Sequence, residues 1–446
     1  MHLSSERRLA HPCDVKLHSL EGDEIMTEVA TPVQPDKQFT ILIVGGGTAG
    51  IAIAARLRRE RPSLSIGIID PATTHAYQPG WTLVGAGVMT LKQTLRQEGG
   101  LIPANVTWLR ASAESFQPDD HIVTLDDGQR IGYRRLILCP GLQLDWDRIE
   151  GLGETLGKNG VCSNYSMEHV EYTWTCIQTL NGGKALFTQP PMPIKCAGAP
   201  QKIAYLASDF WRKEGVLNRT EVDFLLAGDA LFGVAYYRPS LQYAVDYYGI
   251  NLRYKHNLVA VNGQAKIAIF DVTAPDGSVS RETRSFDMLH VTPPQSAPDF
   301  IKDSPFAGAG GWVDVDPSTL RHTKYDTVFG AGDVVGTSNA KTMAAARAQM
   351  PVVVANVLAS LEGKPLTSSY DGYGACPLTV GYGKVVLAEF LYGGKPAPSF
   401  PYDQRKPSSF AWMLKAKVFP HVYWDLMLKG RDITVKHHPE WIREAG

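Results

Sequence analysis

The chain is poor in the features that would place it in several broad classes. Its formal net charge is -1 over 446 residues, so it lacks the basic footprint of a nucleic-acid binder, and no nucleic-acid partner is expected. No apolar run approaches the ~18–20 residues that span a bilayer, which restricts any membrane association to the periphery. Six cysteines, at 13, 139, 162, 176, 196 and 376, include no C-x-x-C pair. That spacing offers neither a zinc site nor a thioredoxin motif, and no metal is expected. Six in 446 is also too sparse for a secreted disulfide scaffold. Residues 1–37 lack a secretory h-region, and Glu6, Asp14, Glu21, Asp23 and Glu24 are unlike an acid-poor transit peptide. They read as a disordered leader, with Met26 as an alternative start.

What is present begins with "QFTILIVGGGTAGIAIAARLRRERPSLSIGIIDP". It reads as a strand over Ile41–Val44, a glycine turn, a helix over Ala49–Arg59 and a second strand over Ile66–Ile69. Gly45, Gly47 and Gly50 fit G-x-G-x-x-G, and Asp70 follows at the usual offset. The glycines permit the tight turn and the close approach of a pyrophosphate. The N–H groups near Thr48 and Ala49 face negative charge, and Asp70 accepts from a ribose hydroxyl. A third strand is expected over 106–116, with the backbone at Ala113 beside an adenine edge. A hairpin with an Asp127–Gly128 turn follows.

The second α/β segment, 151–284, lacks the corresponding loop. A strand at Lys184–Thr188 leads into "QPPMPIKCAGAPQK", residues 189–202. Prolines carry no N–H donors and fix the turn, so a second pyrophosphate has nothing to lie against, and NADH or NADPH is disfavoured as electron donor. The chain then returns at "FDMLHVTPP" and reaches "GAGD", where Gly330, Gly332 and Asp333 fit a flavin motif in which an aspartate meets the ribityl chain. Two glycine motifs with an inserted α/β segment describe a tandem Rossmann-like α/β fold that binds FAD. The expected division is a discontinuous FAD-binding domain over 38–150 and 285–360, a second Rossmann-like domain over 151–284 and a C-terminal membrane-associating region over 361–446. In that region Trp412, Phe419, Tyr423 and Trp424 alternate with Lys415, Lys417, Lys429 and Arg431 on short helices broken by Pro420. Such a pattern suits either a membrane interface or helices packed on the core.

A reactive cysteine needs thiolate character and access. Cys196 follows Lys195 and precedes Ala-Gly-Ala-Pro, and Cys376 lies among small residues in "GACPLT". These two are either a redox pair beside the flavin or ordinary buried thiols. Cys139 reads as a small core hydrophobe, and nothing around Cys162 or Cys176 points to activation.

Several stretches resemble the sulfide:quinone oxidoreductase family, in the branch that includes the mitochondrial enzyme. They are "HAYQPGWTLVGAG" (75–87), "CSNYS" (162–166), "PIKCAGAPQKIAYL" (193–206), "MLHVTPPQSAPD" (288–299), "GWVDVD" (311–316) and "DGYGACPLTVGYGKVVLAEF" (371–390). The resemblance implies that Cys196 and Cys376 are the redox pair. Cys196 would lie nearer the flavin, and Cys376 would hold a sulfane sulfur for a small acceptor such as a thiol or sulfite. It places Asp70, Gln78, Asp333 and Lys341 at FAD, with Lys341 beside the ring. It implies hydrogen sulfide and a ubiquinone-type quinone as substrates, and peripheral attachment to a membrane. The apparent lack of targeting segments points to the cytoplasmic face of a bacterial inner membrane. Competing expectations are a type II NADH:quinone oxidoreductase-like enzyme, a soluble sulfide dehydrogenase with a cytochrome partner, and an FAD-binding interaction protein whose catalysis has lapsed.

Overall fold

The computed structural model describes residues 34–431 and 436–442. Residues 1–33 of the expected leader, with Cys13 and Met26, lie outside the described residues. The leader boundary at 37 falls inside structure, because β1 (Lys37–Val44) already begins there. Its last four residues are apolar and buried, and it feeds the glycine turn, α1 (Thr48–Glu60) and β2 (Ile66–Ile69). The expected third strand is two: β3 (Thr107–Leu109) lies parallel to β2, while β4 (Ala113–Gln117) is antiparallel to β5 (Ile122–Leu125). The chain turns between them, with Ala111 N–H bonding to Leu109 O at 2.9 Å, so Ala113 opens β4 instead of closing β3. β5 and β6 (Arg130–Leu138) form the expected hairpin. The parallel order is β3-β2-β1-β6.

The second sheet is built from β7 (Val161–Cys162), then after α2 (Val170–Thr179) from β8 (Gly183–Gln189). α3 (Ala199–Lys213) connects β8 to β9 (Thr220–Leu226), and α4 (Arg238–Tyr248) leads to β10 (Asn251–Tyr254). An antiparallel meander follows: β11 (His256–Asn262), β12 (Ile267–Thr273) and β13 (Val279–Ser285). β14 (Met288–His290), expected to begin the return to the first sheet, is parallel to β7 and β8. Its three side chains are all buried, and its backbone fills the gap between those strands in the order β7-β14-β8-β9-β10. The chain rejoins the first sheet only at β15 (Val328–Gly330), parallel to β6.

α5 (Met343–Leu361) is, by length and mean hydropathy of 1.3, able to cross a membrane, contrary to the expectation that no run in the chain is long and apolar enough. Here it is a core helix packed against α1, with Gln349 and Asn356 buried and bonded to Gly332 N–H and Thr319 O. A helix apolar on all sides belongs in the interior. The β16 (Gly374–Gly381) and β17 (Lys384–Phe390) hairpin then lies against α3. From α6 (Ser409–Met413) a single helical run continues to Lys429, so Pro420 does not break it. π segments at Leu414–Val418 and Val422–Leu426 flank the proline. A wider turn there relieves the clash of a proline ring with the preceding carbonyls.

Candidate active site

The turn between β1 and α1 places its backbone donors where the sequence implies. Gly45 sits at φ 103, a left-handed conformation that favours glycine, and a Cβ on Gly50 would lie 3.3 Å from Cys139 Sγ. A Cβ on Gly47 would meet nothing within 4 Å, so the turn opens outward at the helix N-terminus. Asp70 closes β2 and accepts from Gly46 N–H and Ala72 N–H. Gly332, at φ 77, approaches from the opposite side: a Cβ there would be 3.4 Å from Ala49 Cβ. The two glycine motifs, far apart in sequence, thus meet at the N-terminus of α1. Open backbone donors, a helix N-terminus and a strand-end carboxylate fit a dinucleotide such as FAD.

Lys341 lies beside Asp333. Its Nζ donates to Asp333 O at 2.6 Å and Val335 O at 3.1 Å, and stands 3.7 Å from the centre of the Trp312 ring. Burial lowers Lys341 to about 8. Burial also raises Asp333 above the ordinary carboxylate value.

The cysteine turn reaches this point from the second sheet. Cys196, at φ 50, donates its N–H to Lys341 O at 2.8 Å, and its own carbonyl accepts from Ala199 N–H at the start of α3. Tyr165 Oη donates to Lys195 O at 3.0 Å, and Gln295 Oε1 accepts from Lys195 N–H at 2.7 Å. Lys195 Nζ reaches Gln78 Oε1, so an exposed residue of the expected cofactor loop is joined to the cysteine turn. Burial lowers Lys195 to about 8.

Cys376, in β16, brings its Sγ to 3.7 Å from Cys196 Sγ, both as free thiols. The approach needs Gly198, because a Cβ there would stand 2.7 Å from Cys376 Sγ. Lys202 Nζ donates to Cys196 Sγ at 3.1 Å although its residue is only 2% exposed. The Cys376 thiol donating to it, and then Lys202, hold Cys196 well below the ordinary thiol value against the opposing cost of burial. Cys376 is pushed up, first by that same hydrogen bond and then by burial. A hydrogen bond to a charged group contributes about 1.5–3 kcal/mol. Lys415 is buried as well, and burial together with Lys202 lowers it to about 7.

Lys202 and Lys415 are the site residues that sequence reasoning misses. In the sequence Lys415 is one of several cations along the tail; in the fold it points inward. Lys202 carries one legible signal, a lone cation among the apolar residues that open α3. Cys162 and Cys176 are buried in the second unit's core, and burial pushes the Cys162 thiol up. Cys139, buried beneath the first glycine turn, has its thiol pushed up by burial.

The pyridine nucleotide-disulphide oxidoreductase family pattern matches residues 39–172, the part that contains the first glycine turn. The mitochondrial sulfide:quinone oxidoreductase of Dictyostelium discoideum is 43% identical over 394 residues, 88% of this chain and 86% of that protein. The mitochondrial enzyme of Mus musculus is 38% identical over 428 residues, 96% of this chain and 95% of that protein. The solved sulfide:quinone oxidoreductase of Aquifex aeolicus has a similar fold, with a TM-score of 0.71 at 19% identity over 89% of this chain and 92% of that one. At these identities and coverages the chain belongs to the sulfide:quinone oxidoreductase family and is an FAD-dependent oxidoreductase of tandem Rossmann-like fold.

Proposed function

We propose that this chain oxidises hydrogen sulfide at Cys196 and Cys376 and delivers two electrons through FAD to a membrane quinone. The observation that carries this reading is the pair of sulfurs 3.7 Å apart, with a buried ammonium 3.1 Å from one of them, beside the Asp333–Lys341 segment. In the reactive form the two sulfurs are bridged. Hydrosulfide attacks the Cys376 sulfur, the S–S bond breaks, and Cys196 leaves as a thiolate held by Lys202. Cys376 then carries the added sulfur as a persulfide. A small nucleophile, a thiol or sulfite, takes that outer sulfur and leaves Cys376 as a thiol. The thiolate and thiol re-form the bridge, giving up two electrons and one proton. FAD, when bound at the glycine turns, would supply the two-electron carrier between this pair and the quinone, whose reduction takes up that proton and one from solvent.

In this reading Gly45, Gly47, Thr48, Ala49 and Gly50 hold the pyrophosphate, Asp70 the ribose, and the Ala113 backbone the adenine edge. Gln78, Gly332, Asp333 and Lys341 lie along the flavin end, Lys341 supplying positive charge to the ring region. Lys415 is protonated below about 7, so acid adds a second cation near the sulfurs. Membrane attachment is peripheral: Phe410 and Met413, one turn apart at the start of the C-terminal run, are 43% and 41% exposed. Relatives named as mitochondrial give no support to the bacterial inner membrane expected from the sequence. What is kept is attachment to a quinone-bearing membrane.

The test is anaerobic mixing of the yellow holoprotein with sulfide, and separately with NADH, followed by a short-chain ubiquinone. Sulfide should bleach the flavin absorbance and quinone restore it. Bleaching by NADH and not by sulfide would sink the reading and favour the NADH dehydrogenase alternative.

A further inference from the structure

A second set of buried polar groups converges on the first glycine turn from a direction that the sulfur chemistry does not use. Glu98 is 2% exposed and His75 4% exposed, and His75 Nδ1 lies 3.0 Å from Glu98 Oε2. His75 Nε2 lies 2.6 Å from Tyr423 Oη, and Tyr423 Oη lies 2.8 Å from Thr48 Oγ1. Thr48 is the first residue of α1. Tyr423, wholly buried, belongs to the C-terminal run.

The directions of these bonds follow from the groups. A carboxylate only accepts, so His75 Nδ1 carries the proton it shares with Glu98. In the Nδ1–H tautomer, Nε2 accepts from Tyr423 O–H, and Tyr423 accepts from Thr48 O–H. Burial raises the Tyr423 phenol and keeps it protonated. The chain of donors is consistent from Thr48 to Glu98 and leaves one acceptor over. Glu98 Oε1 is buried and has no partner among the described residues. Its position is specific: a Cβ on Gly46 would lie 3.0 Å from Glu98 Oε1 and 2.9 Å from Asp70 Cβ. Two carboxylates therefore converge on Gly46, one at the end of β2 and one held in place by His75. An unpartnered buried carboxylate oxygen is costly unless a donor arrives with a ligand. A pyrophosphate cannot supply that donor, whereas a ribose hydroxyl can.

We propose that Glu98 is a second ribose-binding carboxylate, its free oxygen accepting a ribose hydroxyl of FAD beside Asp70, and that His75 and Tyr423 are positioning residues that tie the C-terminal run to cofactor occupancy. This deepens the assignment of FAD to the glycine turn and rests on it. The C-terminal run is also pressed on α1 at its end, where Gly430 meets the backbone of Ala55 and Arg56. The helical run thus spans from Lys415, near the sulfurs, to α1 at the cofactor.

The experiment is flavin release from diluted holoprotein, followed by the rise in free-flavin fluorescence, together with limited proteolysis of residues 419–430 with and without added FAD. Glu98→Gln should speed release at least tenfold while leaving far-UV circular dichroism unchanged. Release within twofold of wild type overturns the proposal. Should Glu98→Gln fail to fold, Tyr423→Phe keeps the ring and removes the hydroxyl. Added FAD should protect 419–430 in the wild type, and that protection should be lost in Tyr423→Phe. Protection of wild-type size in this variant overturns the coupling. If the wild type holds no flavin at all, the FAD assignment itself fails, an outcome separate from both.

Discussion

The two Rossmann units differ most where they should be most alike. In the first, β1 passes through Gly45–Gly47 into α1; in the second, β8 passes through residues 190–198 into α3. Both turns deliver the chain to a helix N-terminus, and both rest on parallel strands of similar apolar character. The first offers backbone N–H groups that open outward. The second spends the same stretch on Pro190, Pro191 and Pro193, which donate nothing, and on Cys196, whose sulfur is met by Lys202. A helix N-terminus favours negative charge in either case. On the proposed reading, the first unit meets a pyrophosphate there and the second a cysteine thiolate. The βαβ frame supplies the field, and the turn residues decide whether a nucleotide or a sulfur uses it.

The comparison breaks most sharply at the sulfurs. Cys196→Ser or Cys376→Ser should leave FAD bound and lower sulfide-dependent turnover by ~10³-fold or more, as expected for loss of a covalent nucleophile. The measurement is anaerobic flavin reduction by sulfide. Near wild-type rates in both variants would mean that the second turn is not the entry point for electrons.

A smaller effect tests the thiolate itself. Cys196 ionises below the ordinary thiol range partly because Lys202 stabilises the anion. Lys202→Met removes that stabilisation, so the pKa rises and the thiolate fraction at neutral pH falls. The midpoint of alkylation by iodoacetamide in the reduced protein should move upward by ~1–2 pH units. A midpoint that stays put would show that the Cys376 hydrogen bond alone sets the charge.

The same contrast explains what is legible in the sequence. Gly45, Gly50 and Asp70 act through the backbone or at a fixed offset from a strand, so local pattern locates them. Cys196 is visible because prolines occupy a place where glycines are expected. Lys202 and Lys415 act through burial. A lysine looks solvated until the fold shows that α3 and the C-terminal run bury both, with Lys202 Nζ 3.1 Å from Cys196 Sγ. Pro420 misleads for a related reason, since two π segments carry the helix past it and local rules anticipate a break. β14 joins the second sheet against expectation because a short buried strand of three residues carries no information about its neighbours. Glu98, His75 and Tyr423 come from three separate segments and meet only in the folded chain.

Packing at the second turn gives a milder perturbation. Gly198→Ala places a methyl group 2.7 Å from Cys376 Sγ, closer than van der Waals contact allows, so β16 must shift outward. Turnover should fall by roughly tenfold, short of the ~10²-fold that a full 1 Å misplacement can cost, while FAD content is kept. Closure of the Cys196–Cys376 bridge by oxidant, read by thiol titration, should slow in parallel. Unchanged closure would show that the hairpin carrying Cys376 is not braced against α3.

At the first turn a cysteine should matter only as volume. Cys139 sits beneath the glycine turn with its Sγ 3.6 Å from Gly45 O, and burial pushes its thiol up and keeps it protonated. Neutral and enclosed, it has no route to sulfide. Cys139→Ala should therefore lower stability by about 1 kcal/mol, the scale of a small cavity at a buried side chain, with turnover per bound flavin within twofold of wild type. Thermal unfolding of the holoprotein and a rate normalised to flavin separate the two. A large loss of rate with normal flavin content would mean that the first turn also takes part in sulfur chemistry, and the division of labour between the two turns would fail.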